Sequence, residues 1–242
     1  MSSEHTPENE TADSGGVLYV VATPIGHLDD VTRRALEILG AVDLILCEDT
    51  RRTRILLRHY DITGHCESFH DHNERRKTPT VIAALEAGRK IALVTDAGTP
   101  LVSDPGYRLV NGCVDCGIPV VPIPGASAVT ALLSVAGLPT DRFYFEGFLP
   151  PRGAKRTRRI DALAGMPCTI VLFESPYRLE RTLDALREGW GDRRGCMGRE
   201  LTKKFEEIRR GTLSELAAWA HGRTIRGEIT LAIEGADTKS SR

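Results

Sequence analysis

Four clusters of glycine, proline and acidic residues follow short apolar runs in the first half of this 242-residue sequence. Each apolar run is typical of a buried β-strand. Because ligands of open parallel sheets bind at the carboxyl ends of the strands, clusters in this place favour a binding site. The clusters are Thr23-Pro24-Ile25-Gly26, Glu48-Asp49-Thr50-Arg51, the stretch from Asp96 to Gly106, and Pro124-Gly125-Ala126-Ser127.

The third cluster, DAGTPLVSDPG, is the strongest candidate for a functional loop. It is much longer than the roughly two to six residues that usually join a strand to a helix. The shorter TPIG and PGAS clusters are also compatible with a tight turn and a helix start, and Asp104 with a helix N-cap.

Three absent motifs narrow the chemistry. The sequence has no GxGxxG after its first strand and no GxxxxGK[ST], which disfavours a standard dinucleotide fold and nucleoside triphosphate hydrolysis. It has no G-x-S-x-G elbow of a serine hydrolase. His70-Asp71-His72 resembles a metal-binding pair, but without a clear third ligand it is better interpreted as an exposed polar loop.

The elements that must position these clusters alternate between strand and helix. Such alternation predicts an α/β fold with a mostly parallel sheet in an N-terminal domain over 17–123. A smaller α/β domain with a mixed sheet is predicted over 124–235. The polar segment at 1–16 is predicted to be a disordered tail, and 236–242 is predicted to be a tail outside the second domain.

Local signals set the expected helix ends. Asp29 and Asp30 are candidate N-caps for the first helix. A helix is expected to start at Thr78-Pro79, because proline is tolerated in a first turn. Another helix is expected to be capped by Asp104-Pro105, and a further one to start at Ser175.

The composition excludes some classes of protein. The formal net charge is −1, so no global basic field exists and any nucleic-acid contact must be local. No apolar run approaches the roughly 18 residues of a membrane span, and the N-terminus lacks the features of a signal peptide. The six cysteines, the Cys113/Cys116 pair included, are scattered as buried reduced thiols would be, which favours a cytoplasmic protein.

Local basic clusters make nucleic acid a plausible partner. Arg51, Arg52, Arg54 and Arg58 share one predicted helix. Five cations within 152–159 have no balancing acid nearby in sequence, which favours phosphate contact. They are Arg152, Lys155, Arg156, Arg158 and Arg159. A third cluster within 199–210 is interleaved with Glu206 and Glu207 and is interpreted as a solvated helix face.

Taken together, these motifs resemble those of a known family. The sequence is similar to the bacterial small-subunit ribosomal RNA methyltransferases that modify the ribose 2′-hydroxyl of a cytidine in the 16S decoding region, within the tetrapyrrole-methylase-like superfamily (class III S-adenosylmethionine-dependent methyltransferases). The motifs that carry the resemblance span about 17–235, in this order: ATPIGHLDDVTRRAL, CEDTRRTRILL, SFHDHNE, LVTDAGTPLVSDPG, PIPGASAVTALLSVAGLPTDRFYFEGFLP, ESPYRL and RELTKKFEEIRRG.

The resemblance implies a homodimer of two-domain subunits that acts on 16S rRNA in the 30S subunit, with S-adenosyl-L-methionine held between the domains. TPIG stands where tetrapyrrole methylases usually carry GxGxG, a departure that matches the ribosomal branch. The Glu174-Ser175 turn is an additional wall candidate. The residues expected to contact the donor are Pro24, Ile25, Gly26, Asp96, Ala97, Gly98, Ser103, Asp104, Ala126, Ser127 and Phe148.

For catalysis, a ribose hydroxyl is a weak nucleophile that benefits from a base, whereas the sulfonium is already a good leaving group and needs no metal. We expect one carboxylate among Glu48, Asp49 and Asp104 to accept the hydroxyl proton, and Arg51 to orient phosphate or ribose. A structural ion pair between Glu48 and Arg51 is the alternative. His72, Asn73 and Glu74 are placed on a neighbouring loop.

Two other functions remain open from the sequence. One is methylation of a small tetrapyrrole such as a precorrin, which the basic clusters disfavour. The other is a non-catalytic RNA-binding factor in ribosome assembly, which would not need the strand-end clusters.

Overall fold

The computed structural model describes residues 15–236 and divides them between two five-stranded sheets with flanking helices. The first half contains β1 Val17–Val21, α1 Arg33–Ala41, β2 Leu44–Cys47, α2 Thr50–His59, β3 Cys66–Ser68, α3 Asp71–Glu86, β4 Lys90–Leu93, α4 Tyr107–Asp115 and β5 Val120–Ile123. The second half contains α5 Ala128–Ala136, β6 Phe143–Phe148, α6 Ala154–Ala164, β7 Thr169–Glu174, α7 Leu179–Trp190, β8 Arg194–Arg199, β9 Glu207–Thr212, α8 Leu213–Ala220 and β10 Ile229–Ile233.

The first sheet has the strand order β3-β2-β4-β1-β5, and all of its strand pairs are parallel. Its central strands are continuous apolar runs because helices cover both faces of the sheet. All five carboxyl ends therefore lie at one edge, and β1 and β4 are neighbours there although they are distant in sequence. The predicted α/β fold with a parallel N-terminal sheet is confirmed.

The second sheet has the order β6-β7-β10-β8-β9 and is mixed, as predicted. β6 runs parallel to β7, whereas β10 is antiparallel to both β7 and β8, and β9 is antiparallel to β8. With five strands it is as large as the first sheet, so the expectation of a smaller unit is wrong in this respect. One apolar cluster joins the two sheets, since Ile25 packs with Leu132, Val171 and Leu201.

Several predicted helix ends are wrong. Thr32, rather than Asp29 or Asp30, caps α1 by accepting a hydrogen bond from the Ala35 amide. Helix α3 begins at Asp71, and Pro79 lies inside it rather than at its start. His70-Asp71-His72 therefore forms the start of a helix and not a loop.

The start of α4 is also held by a residue that the sequence did not suggest. The helix begins at Tyr107, and Asp104 does not cap it. Instead the buried carboxylate of Glu74, on α3, accepts hydrogen bonds from the amides of Gly106 and Arg108 at 3.2 and 2.9 Å. Helix α7 starts at Leu179, four residues later than expected.

The third basic cluster is not a helix face. Its residues lie on β8, on the following turn and on β9, a strand absent from the predicted elements. Of the two predicted tails, 1–14 and 237–242 lie outside the described residues. Gly16 belongs to the fold, because its amide donates to the Leu85 carbonyl at 3.1 Å. No helix within 15–236 is long and apolar enough to cross a membrane.

Candidate active site

Two strand-end clusters of the first sheet are bonded to each other. Thr23 and Gly98 exchange backbone hydrogen bonds of 2.9 and 3.0 Å, which forms an isolated antiparallel bridge between the loops after β1 and β4. The Thr23 hydroxyl also donates to the Thr95 carbonyl at 3.0 Å. The long 96–106 loop is therefore fixed against the TPIG loop.

A cavity of about 430 Å³ opens where these loops meet the second sheet. This volume lies within the range of roughly 300–1,000 Å³ that is usual for small-molecule sites. The predicted donor residues that line it are Ile25, Asp96, Ala97, Gly98, Ser103, Asp104, Ser127 and Phe148. Pro24 and Gly26 line an adjoining cavity of about 170 Å³, which shares Ile25 and Asp96 with the first. Ala126 lines neither, but its carbonyl accepts a hydrogen bond from Thr99.

The backbone is strained on both sides of this cavity. Of the five non-glycine residues with positive φ within 15–236, Leu101 and Ser103 lie on the 96–106 loop, and Glu200 and Thr202 lie on the turn after β8. Strained backbone of this kind costs on the order of 1–3 kcal/mol per residue and is concentrated at functional sites.

Gly26 is the close contact between the two halves. A Cβ there would lie 2.6 Å from Thr202 Oγ1 and 2.9 Å from the Leu201 carbonyl oxygen, so only glycine fits. The next amide, of His27, donates to Thr202 Oγ1 at 3.0 Å. Lys203 then binds Glu200 and Glu228 at 3.0 and 3.1 Å. The TPIG loop is therefore docked on a turn of the second half.

Carboxylates gather at the floor of the cavity around buried Thr95. Burial raises the pKa of Asp104 to about 6, and the negative charges of Glu48, Asp96 and Asp71 add to the effect against an opposing hydrogen bond from Thr95. The pKa of Glu48 is also raised, chiefly by burial and then by Asp96, and its carboxylate accepts from Thr95 Oγ1 at 3.5 Å. Of these two candidate bases, only Asp104 lines the cavity itself.

Asp49 and Arg51 pair with each other. Arg51 donates three side-chain hydrogen bonds to the Asp49 carboxylate, at 2.7, 3.0 and 3.2 Å, and Asp49 also caps α2 through the Arg51 amide. These hydrogen bonds lower the pKa of Asp49 to about 2. The alternative pair of Glu48 with Arg51 is therefore wrong, because Arg51 binds the adjacent carboxylate.

Asp96 has a structural role beside its place in the cavity wall. Its carboxylate accepts a hydrogen bond from the Asp49 amide at 3.0 Å and pairs with Arg52 at 3.4 Å. Asn73 and Glu74 lie on α3 rather than on a loop, and both are buried, where they bind the helix starts at His70 and Gly106. No group of three or more metal-ligand side chains occurs within 15–236.

The 152–159 cluster is divided in the structure. Arg152, Lys155 and Arg158 are exposed, but Arg156 is buried and donates to Thr182 Oγ1 at 2.7 Å beside Glu174. Arg159 binds the buried carboxylate of Glu146 and the Tyr144 hydroxyl. The premise that this cluster lacks a balancing acid is therefore wrong, because Glu146 and Glu174 are brought to it by the fold.

The second half of the chain contributes cavity-lining residues, most of which were not predicted from the sequence. The Glu174 side chain is fully buried and binds Arg178 at 2.6 Å and Thr182 at 2.5 Å. It thereby fixes the Glu174-Ser175-Pro176 turn, which lines the cavity and of which only the first two residues were suspected. Walls at Phe173, Leu201 and Gly227–Thr230 had no distinctive sequence signal.

Comparisons with known proteins bear on this geometry. Residues 17–217 match the family described as Tetrapyrrole (Corrin/Porphyrin) Methylases. The relative named "Ribosomal RNA small subunit methyltransferase I" from Mesorhizobium japonicum is 52% identical over 225 residues, which cover 92% of this chain and 76% of the relative. The protein of the same name from Escherichia coli O157:H7 is 47% identical over 232 residues, which cover 94% of this chain and 81% of the relative.

Solved structures show the same fold at lower identity. Uroporphyrin-III-C-methyltransferase from Thermus thermophilus has a TM-score of 0.63 and 22% identity, over 90% of this chain and 94% of its own. The cobalt precorrin-4 methyltransferase of cobalamin biosynthesis has a TM-score of 0.64 and 18% identity, again over 90% and 94%. A Thermus enzyme complexed with S-adenyl homocysteine has a TM-score of 0.63 and 18% identity, over 91% and 98%. The family and fold expected from the motifs are thus confirmed.

Proposed function

This chain belongs to the tetrapyrrole (corrin/porphyrin) methylase family, and from this premise we propose that it transfers a methyl group from S-adenosyl-L-methionine to the ribose 2′-hydroxyl of a cytidine in 16S rRNA. The observation that carries the proposal is the cavity at the strand ends of the first sheet, with the Asp104 carboxylate in its wall. The relatives named as small-subunit ribosomal RNA methyltransferases give the substrate class. The decoding region of the 30S subunit is the proposed location of the cytidine.

The cavity suits the methyl donor in size and lining. Ile25, Phe173 and Ile229 provide apolar walls, whereas the 96–99 backbone and Ser127 provide polar groups. Phe148 is 54% exposed and its ring centre lies 5.6 Å from that of Phe173, so it offers an aromatic face to a purine at the cavity mouth. When bound, S-adenosylmethionine supplies an activated methyl group on a sulfonium.

Within this site, Asp104 is the residue we assign as general base. A pKa of about 6 leaves its carboxylate ionised at neutral pH yet more basic than an ordinary aspartate, which suits proton acceptance from a hydroxyl. Asp49 is unsuitable, since Arg51 occupies its carboxylate. Glu48 lines neither cavity, and its negative charge adds to the burial that raises the pKa of Asp104. Much of the remaining catalysis is positioning of the ribose by the fixed loops.

The RNA is held by exposed cations near the cavity. Arg52 lines the cavity, and the neighbouring Arg51 side chain is 86% exposed, so both are placed to bind phosphate or ribose next to the reacting hydroxyl. Arg152, Lys155 and Arg158 are also exposed and are further candidates for phosphate contact. We further propose that the protein acts as a homodimer in the cytoplasm.

The test is transfer from methyl-labelled S-adenosylmethionine to 30S particles from cells that lack the enzyme. Label in 16S rRNA that protects one cytidine linkage from alkali is expected, because a 2′-O-methyl group blocks alkaline cleavage. Label that appears only in a tetrapyrrole precursor would refute the RNA substrate. RNA binding without any label would instead indicate a non-catalytic assembly factor.

A further inference from the structure

A second groove, of about 520 Å³, is lined by Phe205 of the turn after β8, whereas Leu201 of the same turn lines the proposed active site. It is formed by the β8–β9 hairpin, by α8 and by the segment that leads into β10. Its lining combines three arginines, two large aromatic rings and one carboxylate. The lining residues are Arg199, Phe205, Glu207, Trp219, Arg223, Thr224, Ile225 and Arg226.

The charge of this groove is positive and only partly compensated. Glu207 is engaged twice, by Arg199 at 3.3 Å and by Arg209 at 3.1 Å. Within residues 15–236, Lys204, Arg223 and Arg226 form no ion pair with a carboxylate, and Arg223 and Arg226 are exposed. Cations without a carboxylate partner beside a concave surface favour an anionic ligand.

The aromatic rings of the groove carry cations on their faces. Arg209 and Arg223 lie 4.8 and 5.2 Å from the ring centre of Trp219, which also packs on the core of the second sheet. Phe205 is 65% exposed, with Lys204 Nζ 5.7 Å from its ring centre. Exposed rings and guanidinium planes are the surfaces on which proteins stack the unpaired bases of single-stranded RNA.

The groove and the active-site cavity share a wall. Arg226 lines the groove, whereas Gly227 and Glu228 line the cavity, and Arg199 Nη1 donates to the Arg226 carbonyl at 3.2 Å to fix the segment. Two residues of extended chain span at most about 7 Å. A strand whose ribose enters the cavity can therefore reach the groove within a few nucleotides of the target.

We propose that this groove binds single-stranded RNA next to the modified nucleotide, with a base on the exposed ring of Phe205 and phosphate on Arg223 and Arg226. The inference rests on the proposed RNA substrate and adds to it a second contact surface. A second copy of this chain fits less well, because a twofold contact would bring the same uncompensated arginines together.

The experiment compares R223E, R226E and F205A with R33E, which reverses an exposed charge on α1 where Arg33 pairs with Glu37. Binding of unmodified 30S subunits is measured over a range of salt concentrations, together with S-adenosylmethionine affinity, labelled-methyl transfer and sedimentation. Each of the three variants is expected to bind 30S about tenfold more weakly. The two arginine variants are expected to lower the salt dependence by about 0.7 per lost phosphate contact. The three variants should bind S-adenosylmethionine as tightly as the wild type does. R33E should match the wild type in every measurement.

The outcomes separate the two proposals. If wild-type protein methylates 30S but all three variants bind it as R33E does, this inference is overturned and the proposed function stands. If the variants instead lose self-association while their RNA affinity is unchanged, the groove belongs to a second copy and the inference is again overturned. If wild-type protein transfers no methyl group to RNA, the proposed function fails and the inference fails with it.

Discussion

The two sheets contribute to the same cavity by different routes. In the parallel first sheet every strand delivers its following loop to one edge, so Thr23, Glu48 and Thr95 meet there. In the mixed second sheet, Ile229 begins β10 but pairs with Glu174 and Arg199, which end β7 and β8. The ligand-binding edge of a parallel sheet can therefore be predicted from the order of strands and helices in the sequence. For a mixed sheet, the edge can be identified only after the pairing of the strands is known.

The sharpest test of this contrast is Asp104→Asn, on the loop of the first sheet. Loss of the base is expected to lower single-turnover methyl transfer by about 10²- to 10⁴-fold while donor binding is retained. In the wild type the rate should fall as the pH falls through about 6, the pKa of Asp104, because protonation removes the acceptor.

The stability of this variant provides the control. A carboxyl whose pKa is raised on folding costs stability once the pH is high enough to ionise it. Asp104→Asn should therefore melt above the wild type at pH 8 and lose that advantage as the pH falls from about 6 towards the ordinary value of 3.8. Asp115→Asn, on the exposed end of α4, should change neither the methyl-transfer rate nor the melting temperature. A wild-type rate in Asp104→Asn would remove Asp104 as the base.

The difference between the two sheets also explains which parts of the fold and of the candidate site were predictable from the sequence. Strand–helix alternation was sufficient to predict the parallel first sheet. Of the eleven donor contacts that the family resemblance implied, eight line the main cavity, and five of these lie on the long 96–106 loop. Strand β9 was missed because Arg209 and Arg210 give it a polar composition, and it is recognisable only from its pairing with β8. The Glu74 cap on α4 spans 32 residues and is invisible to local capping rules.

The corresponding test on the side of the second sheet is Arg156→Ala, which removes a buried side chain from the network around Glu174 beside the cavity. Arg156 lies 3.9 Å from the buried Glu174 carboxylate and donates to Thr182, which donates to Glu174 in turn. Its removal leaves Glu174 less compensated and is expected to cost about 3 kcal/mol of unfolding free energy. Lys155→Ala, one residue earlier and exposed, should change that free energy by less than about 0.5 kcal/mol. Urea unfolding measures both, and equal midpoints would contradict the assignment of Arg156 to the core.

The contact between the sheets is tested by Gly26→Ala. The new methyl group would overlap the Leu201–Lys203 turn, and overpacking of this kind costs roughly 1–3 kcal/mol. Displacement of the turn should weaken S-adenosylmethionine binding by about tenfold, measured by calorimetry. Gly40→Ala, at an exposed position of α1, is the control and should leave donor affinity unchanged. An undisturbed donor affinity in Gly26→Ala would show that the docked turn does not shape the site.

The smallest expected effects are changes in RNA binding and stability that should differ between the adjacent residues Arg158 and Arg159. Arg158 is exposed and free to meet phosphate, so Arg158→Gln should weaken 30S binding a few-fold and lower the salt slope by about 0.7. Arg159 is committed to Glu146 and Tyr144, so Arg159→Gln should destabilise the fold without changing that slope. If both variants change the slope equally, the ion pair of Arg159 opens on RNA binding. The 152–159 cluster would then act as one surface despite its division in the fold.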